Sequence, residues 1–126
     1  MADPADIAHL LRRTEFVAKP ARVSELSALT RSAAVDNVLD IAQNCAPTIP
    51  SNLAVYDEGN GWEQYVAAVS WWLDQMKTRP RPIQEKLTLF WHGHFTSSWW
   101  DGIGRSDHMM HQNQLYRTQC LGNFRT

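Results

Sequence analysis

The chain has little of what usually betrays a chemistry. Its two cysteines, Cys45 and Cys120, form no CxxC or CxxxC arrangement, which excludes a zinc knuckle and a dithiol redox motif. Both read as buried thiols, and one isolated pair fixes no disulfide framework. Charge of one sign is missing as well. Twelve Lys plus Arg stand against thirteen Asp plus Glu, so the net charge of -1 supplies no long-range field to draw in nucleic acid or an anionic membrane. No apolar run approaches the roughly 18 to 20 residues of a membrane span. The stretch from Met1 to His9 has no basic segment followed by an apolar one, so it is not a signal peptide, and with this start native the compartment is cytoplasmic. GxSxG, HExxH, P-loop and GxGxxG patterns are all absent, which removes the commonest hydrolase, zinc-protease and nucleotide-binding signatures.

What remains is an ordinary globular composition, 44% hydrophobic and 20% charged over 126 residues, enough for one domain with its own core. Asp3, Pro4 and Asp6 have the form of an N-cap, a proline at the first helical position and an acid in the first turn. The spacing of Ile7, Leu10 and Leu11 then predicts a helix over 4–13, with Arg12 and Arg13 at its negative end. Pro20 opens a second helix, 20–29, carrying Val23, Leu26 and Leu29, and a Thr30-Arg31-Ser32 break precedes a third, 32–43. Residues 46–61 are rich in Pro, Gly, Asn and Asp and follow no period, so they read as one long loop.

The strongest periodic signal comes next. Trp62, Tyr65, Val66, Val69, Trp72, Leu73 and Met76 fall on one stripe of a helix over 62–77, while Trp71 points about 180° away from its centre. That helix either exposes Trp71 or is covered on two faces. Lys77, Arg79 and Arg81 punctuate a proline-broken segment that reads as a solvated linker in preference to a phosphate contact. A fifth helix, 82–98, puts Ile83, Leu87, Phe90, Trp91, His94 and Phe95 on one face. A sixth, 107–121, with Ser106 as its N-cap, has apolar residues all round it and looks made for burial inside something larger. The fold class expected is all-α: an irregular bundle of about six helices with one long Pro/Gly-containing loop, forming part of a larger helical domain.

Four of the five histidines lie between Trp91 and His111, so chemistry, if present, belongs there. His92 and His94 grip one metal if the backbone is a strand, but diverge by about 200° if it is a helix, and good helix formers from Gln84 to Leu87 favour the helix. His108 and His111 share a helical face, and with His92 or His94 they make a three-nitrogen set of the type that suits zinc, iron or copper. Set against this is the simpler expectation that His94 is a core histidine and that His108 and His111 are half-exposed. The Trp99-Trp100-Asp101-Gly102 loop reads as a packed corner before it reads as a stacking platform for a ligand.

Several blocks carry a resemblance: Ala5-Asp6-Ile7-Ala8-His9-Leu10-Leu11-Arg12-Arg13-Thr14, Trp72-Leu73-Asp74-Gln75-Met76, the run from Arg81-Pro82-Ile83 through Trp91-His92-Gly93-His94-Phe95, Gln112-Asn113-Gln114-Leu115-Tyr116-Arg117 and Leu121-Gly122-Asn123-Phe124-Arg125. In this order the chain resembles the opening of the bacterial "domain of unknown function 1800" family. It departs from the family's Gly-Phe-Gly turn with Glu15-Phe16-Val17. The resemblance implies a mainly helical domain longer than this chain, of which these residues are an N-terminal portion, in exported bacterial proteins with no established reaction. It therefore transfers no catalytic residue. Two functions follow as expectations: a helical scaffold or interaction portion, partnered by the rest of a larger domain or by itself, or a contribution of His92 and His94 to a divalent-metal enzyme site completed elsewhere. A nucleic-acid partner is not expected.

Overall fold

The computed structural model describes residues 1–123 and 125, so Phe124 of the last matched block and Thr126 lie outside the described residues. Every regular element among the described residues is helical. Seven α-helices run Pro4–Thr14 (α1), Pro20–Ser27 (α2), Arg31–Leu39 (α3), Ser51–Ala54 (α4), Gly61–Thr78 (α5), Ile83–His94 (α6) and Ser106–Gln119 (α7). Short 3-10 turns occupy Ile41–Gln43 and Glu58–Asn60, and a π-turn occupies Trp99–Ile103.

The N-terminal elements follow the local signals closely. The Asp3 carboxylate accepts from the Ala5 N–H at 2.8 Å, and Pro4 stands where its missing donor costs nothing. Thr30, within the expected break, caps α3 by accepting from the Ala33 N–H at 3.2 Å. The helix expected over 32–43 stops at Leu39 and continues only as a 3-10 turn. Glu15 closes α1 in extended backbone, φ −119° and ψ 170°, so the turn lacking the family's glycines is made without a left-handed residue. Ile7, Leu11, Leu26, Ala34 and Val38 form an apolar core among α1, α2 and α3, and Ile83 of α6 joins it. Lys86, one turn along, donates to the carbonyls of Arg12 at 2.9 Å and Glu15 at 2.8 Å, putting a cation on the negative end of α1.

Residues 46–61 are not the structureless loop expected. Pro50 leads into the one-turn α4, whose Leu53 is fully buried. A single turn is too short to show a period. Gln64 of α5 ties the segment down: its amide donates to the carbonyls of Asn52 at 2.6 Å and Val55 at 2.7 Å and accepts from the Asp57 N–H at 3.1 Å. Helix α6 ends at His94 and not at residue 98, because the chain turns out at Phe95 toward the π-turn. Gly104, φ +61°, receives the close of that turn, a left-handed conformation that glycine adopts at no steric cost.

The largest departure concerns which faces turn inward. On α5 part of the apolar stripe lies outward: Trp62 is 54% exposed and Leu73 57%, with Val66 and Val69 also exposed, while Tyr65, Trp72 and Met76 of the same stripe are half-buried. The inner face is built on Gln64, Ala68, Trp71 and Trp72 instead, so Trp71 faces the interior and is half-buried. On α6, Phe90 is exposed, as is Phe95 just past its end, while Glu85 and Thr88 are fully buried. On α7 the inward residues are Ser106, Met110, Asn113, Arg117 and Cys120, at successive helical turns, and Leu115 points out. Ser106 is the first helical residue and Arg105 the cap. Cys120 is buried as expected, but Cys45 is exposed, since it lies in the coil after the 3-10 turn; both are free thiols.

These two kinds of apolar residue separate in a denaturation experiment. Leu11→Ala, in the fully buried core, should lower stability by about 2–5 kcal/mol, whereas Leu73→Ala should change it by about 0.5 kcal/mol or less. Urea midpoints at unchanged m-values read both.

Candidate functional site

Between α5, α6 and α7 the interior is polar. Glu85, fully buried, accepts from Arg117 Nε at 2.6 Å and Arg117 Nη2 at 2.8 Å, a bidentate pair, and from the Trp72 indole N–H at 3.0 Å. Arg79 Nε approaches the same carboxylate at 3.4 Å, an ion-pair contact too long to be a well-formed hydrogen bond. One carboxylate therefore faces two guanidiniums. The surplus positive charge is met by the face of Trp71, whose centroid lies 5.3 Å from Arg117 Cζ, and by the Cys45 carbonyl, to which Arg79 donates. Arg117 Nη1 completes its donors on Gln114 Oε1 at 2.9 Å. Burial depresses the Arg79 pKa below its ordinary value, with Glu85 pulling the other way. Arg79 is thus a structural cation and not part of a solvated linker.

Beside this pair, on the other side of Trp71 and Trp72, lies a cavity of about 120 Å³. Its walls are the rings of Tyr65, Trp71, Trp72 and Trp99, and its polar lining is His92, Ser106 and Asn113. The π-turn sends Trp99 inward and Trp100 outward, and the Trp99 indole packs against Gly61. Three polar atoms of residues on the lining, Trp99 Nε1, Ser106 Oγ and Asn113 Oδ1, are themselves closed off from it and have no hydrogen-bond partner in the protein. A side of the chain that so fully satisfies Glu85 leaves these three unpaired.

The histidines are dispersed. His92 packs edge-on to Trp72, ring centroids 5.4 Å apart, and burial lowers its pKa from the ordinary 6.5, so the imidazole is neutral at pH 7. His94 stands on the opposite side of α6, exposed, stacked on Phe90 at 6.1 Å. His108 and His111 are exposed on the outer surface of α7. Among the described residues no group of three His, Cys, Asp or Glu gathers in a form that could hold a metal ion. No helix of the described residues is long and apolar enough to cross a membrane.

A helical chain with a polar, ion-paired interior and outward aromatic faces defines no reaction class by itself. The comparison with known families gives its kinship: residues 9–126 match the family described as "Protein of unknown function (DUF1800)", and the chain belongs to that family. No curated protein and no solved structure matches it significantly.

The ion pair generates a mutational prediction. Arg117→Met strips Glu85 of its bidentate partner and leaves it only the longer Arg79 contact and the Trp72 indole, and should destabilise the protein by about 3–5 kcal/mol; adding Glu85→Leu should recover little of that loss unless Arg79→Met is added too, since Arg79 would otherwise be buried without a carboxylate. A thermodynamic cycle of urea denaturations checks it. His92 generates a pH prediction. Its unfolded imidazole takes up a proton near 6.5 while the folded one resists until lower pH, so its contribution is full above about pH 6.5 and is lost as pH falls through the folded value. His92→Gln should therefore lose less stability than wild type between about pH 7.5 and 5.5.

Proposed function

We propose that the chain is a helical scaffold whose α5 presents an apolar seam to a further amphipathic helix supplied from outside these residues. The observation that carries this is the 4-3-4 spacing of Trp62, Val66, Val69 and Leu73, all exposed on one side of a single helix. Such spacing is that of knobs for a facing helix, and a row of this kind facing water is unfavourable. It continues into Trp100, whose ring lies 5.7 Å from Trp62 and which is itself 61% exposed. The larger helical domain implied by the family resemblance supplies a partner of this chemistry. A metal-dependent reading using His92 and His94 has less support, because the two imidazoles face opposite sides of α6.

The purified chain should self-associate weakly in sedimentation, through its own seam in place of the proposed partner helix, and bind an environment-sensitive apolar dye. Val66→Glu with Val69→Glu should abolish both while leaving the helical circular dichroism intact. A monomer that binds no dye would overturn the proposal, as would association unaltered by the two substitutions.

A further inference from the structure

A second cavity, about 320 Å³, lies between the turn after α1 and the segment that leads from α5 to α6. Its charged lining is Lys19, Arg22, Lys77 and Arg79 against a single acid, Glu15. That acid is already engaged: Arg22 Nε approaches Glu15 Oε1 at 3.4 Å, while the other two nitrogens of Arg22 donate to Glu25 at 2.9 Å and Asn37 at 2.7 Å. Arg79 is held in turn by Glu85 and the Cys45 carbonyl. With Glu15, Glu25 and Glu85 matched to guanidiniums, the two lysines are the charge left over. Both are exposed, and among the described residues neither meets a carboxylate. Each ammonium brings three donors on a flexible stem, so it can swing over the mouth of the cavity. The depression beside α4, about 670 Å³, has the opposite sign, with Asp57, Glu58 and Glu63 on its lining.

The rest of the lining is apolar. Phe16 and Val17, both exposed, come from the turn after α1, and Met76, Pro80 and Pro82 from the end of α5 and the proline-broken segment. A bare inorganic anion gains nothing from such walls, and a wholly apolar guest leaves the ammoniums unused. About 320 Å³ is roughly twice the ~150 Å³ that accommodates benzene in an engineered cavity, enough for two fused rings. We infer that this cavity binds a small organic carboxylate with an apolar body of up to two rings, its charge at the mouth between Lys19 and Lys77 and its body against Phe16 and Met76. The positive end of α2, which no side chain caps and whose first turn holds no acid, begins at Lys19 and favours the same sign of guest. A carboxylate there meets point charges that adjust to it, so no bidentate fork is needed.

The probe is 2-naphthoate, titrated at low ionic strength into the full chain labelled with ¹³C at its methionine methyl groups. Met76 lines this cavity, whereas Met109 and Met110 line the one beside Trp72 and serve as the comparison. The Met76 resonance, assigned by its loss in Met76→Leu, should shift saturably with a Kd on the order of 1 mM, as a ligand of this size allows, while Met109 and Met110 stay in place. Lys19→Gln and Lys77→Gln, both on the surface and harmless to folding, should each weaken binding about 2- to 5-fold and together about 10-fold, and added salt should act in the same direction. The neutral analogue 2-naphthalenemethanol should bind more weakly and be indifferent to both substitutions. No saturable Met76 shift by about 10 mM would overturn the inference, as would an affinity for naphthoate unchanged in the double variant. So would the alcohol binding as tightly as the acid, since the lysines would then play no part.

Discussion

The bidentate pair of Glu85 and Arg117 sets the arrangement of the C-terminal half. A carboxylate with no solvent access needs its oxygens filled, and here they are filled by two guanidinium nitrogens and the Trp72 indole. That requirement fixes the rotation of three helices at once. Helix α6 must turn Glu85 inward, α7 must turn Arg117 inward, and α5 must bring Trp72 to donate and Trp71 to cover the guanidinium. Once α5 is rotated to do this, Trp62, Val66, Val69 and Leu73 of its apolar stripe face out. The exposed aromatic surface is thus the other side of the buried polar one.

The first turn of α6 joins the two halves. Ile83 enters the apolar core made by α1, α2 and α3, Glu85 enters the ion pair, and Lys86 caps α1 through the carbonyls of Arg12 and Glu15. Three kinds of contact, apolar, ionic and dipolar, issue from neighbouring positions in different directions. Asn44 adds a fourth, donating to the Arg81 carbonyl at 3.0 Å and to Gln84 Oε1 at 2.9 Å and so holding the entry to the helix. The block from Arg81 to Phe95, the most specific part of the family resemblance, is therefore the segment on which the packing of both halves converges.

The histidine-rich stretch illustrates how proximity in sequence misleads. His92 and His94 are neighbours in the chain but belong to opposite sides of α6, one against Trp72 and the other among Phe90, Trp91 and Phe95. The helical divergence of such a pair was legible from the good helix formers before it. The cavity beside His92 was not, because its polar lining comes from Ser106 and Asn113, residues with no chemical motif, and from Trp99, whose inward direction depends on a π-turn. A signal did exist: Ser106, Met110, Asn113 and Arg117 recur at helical spacing, but a polar stripe reads as a wet face unless a buried counter-charge is known.

By itself the sequence determined the helical class, the family, the caps at Asp3, the entry prolines of α1 and α2, and the apolar core around Leu11 and Leu26, since each rests on periodicity or on backbone groups within a few residues. It also located the long helices to within a few residues, apart from the C-terminal ends of α3 and α6. Only the tertiary structure decided which face of α5, α6 and α7 turned inward. Hydrophobic periodicity assigns the apolar side to the interior as a default, but once α6 and α7 bury Glu85 and Arg117, turning either one away would leave the other charged and unpaired in the interior, at a cost of several kcal/mol. Which of those two terms prevails depends on whether partners from separate helices meet, and that is a property of the packed chain alone.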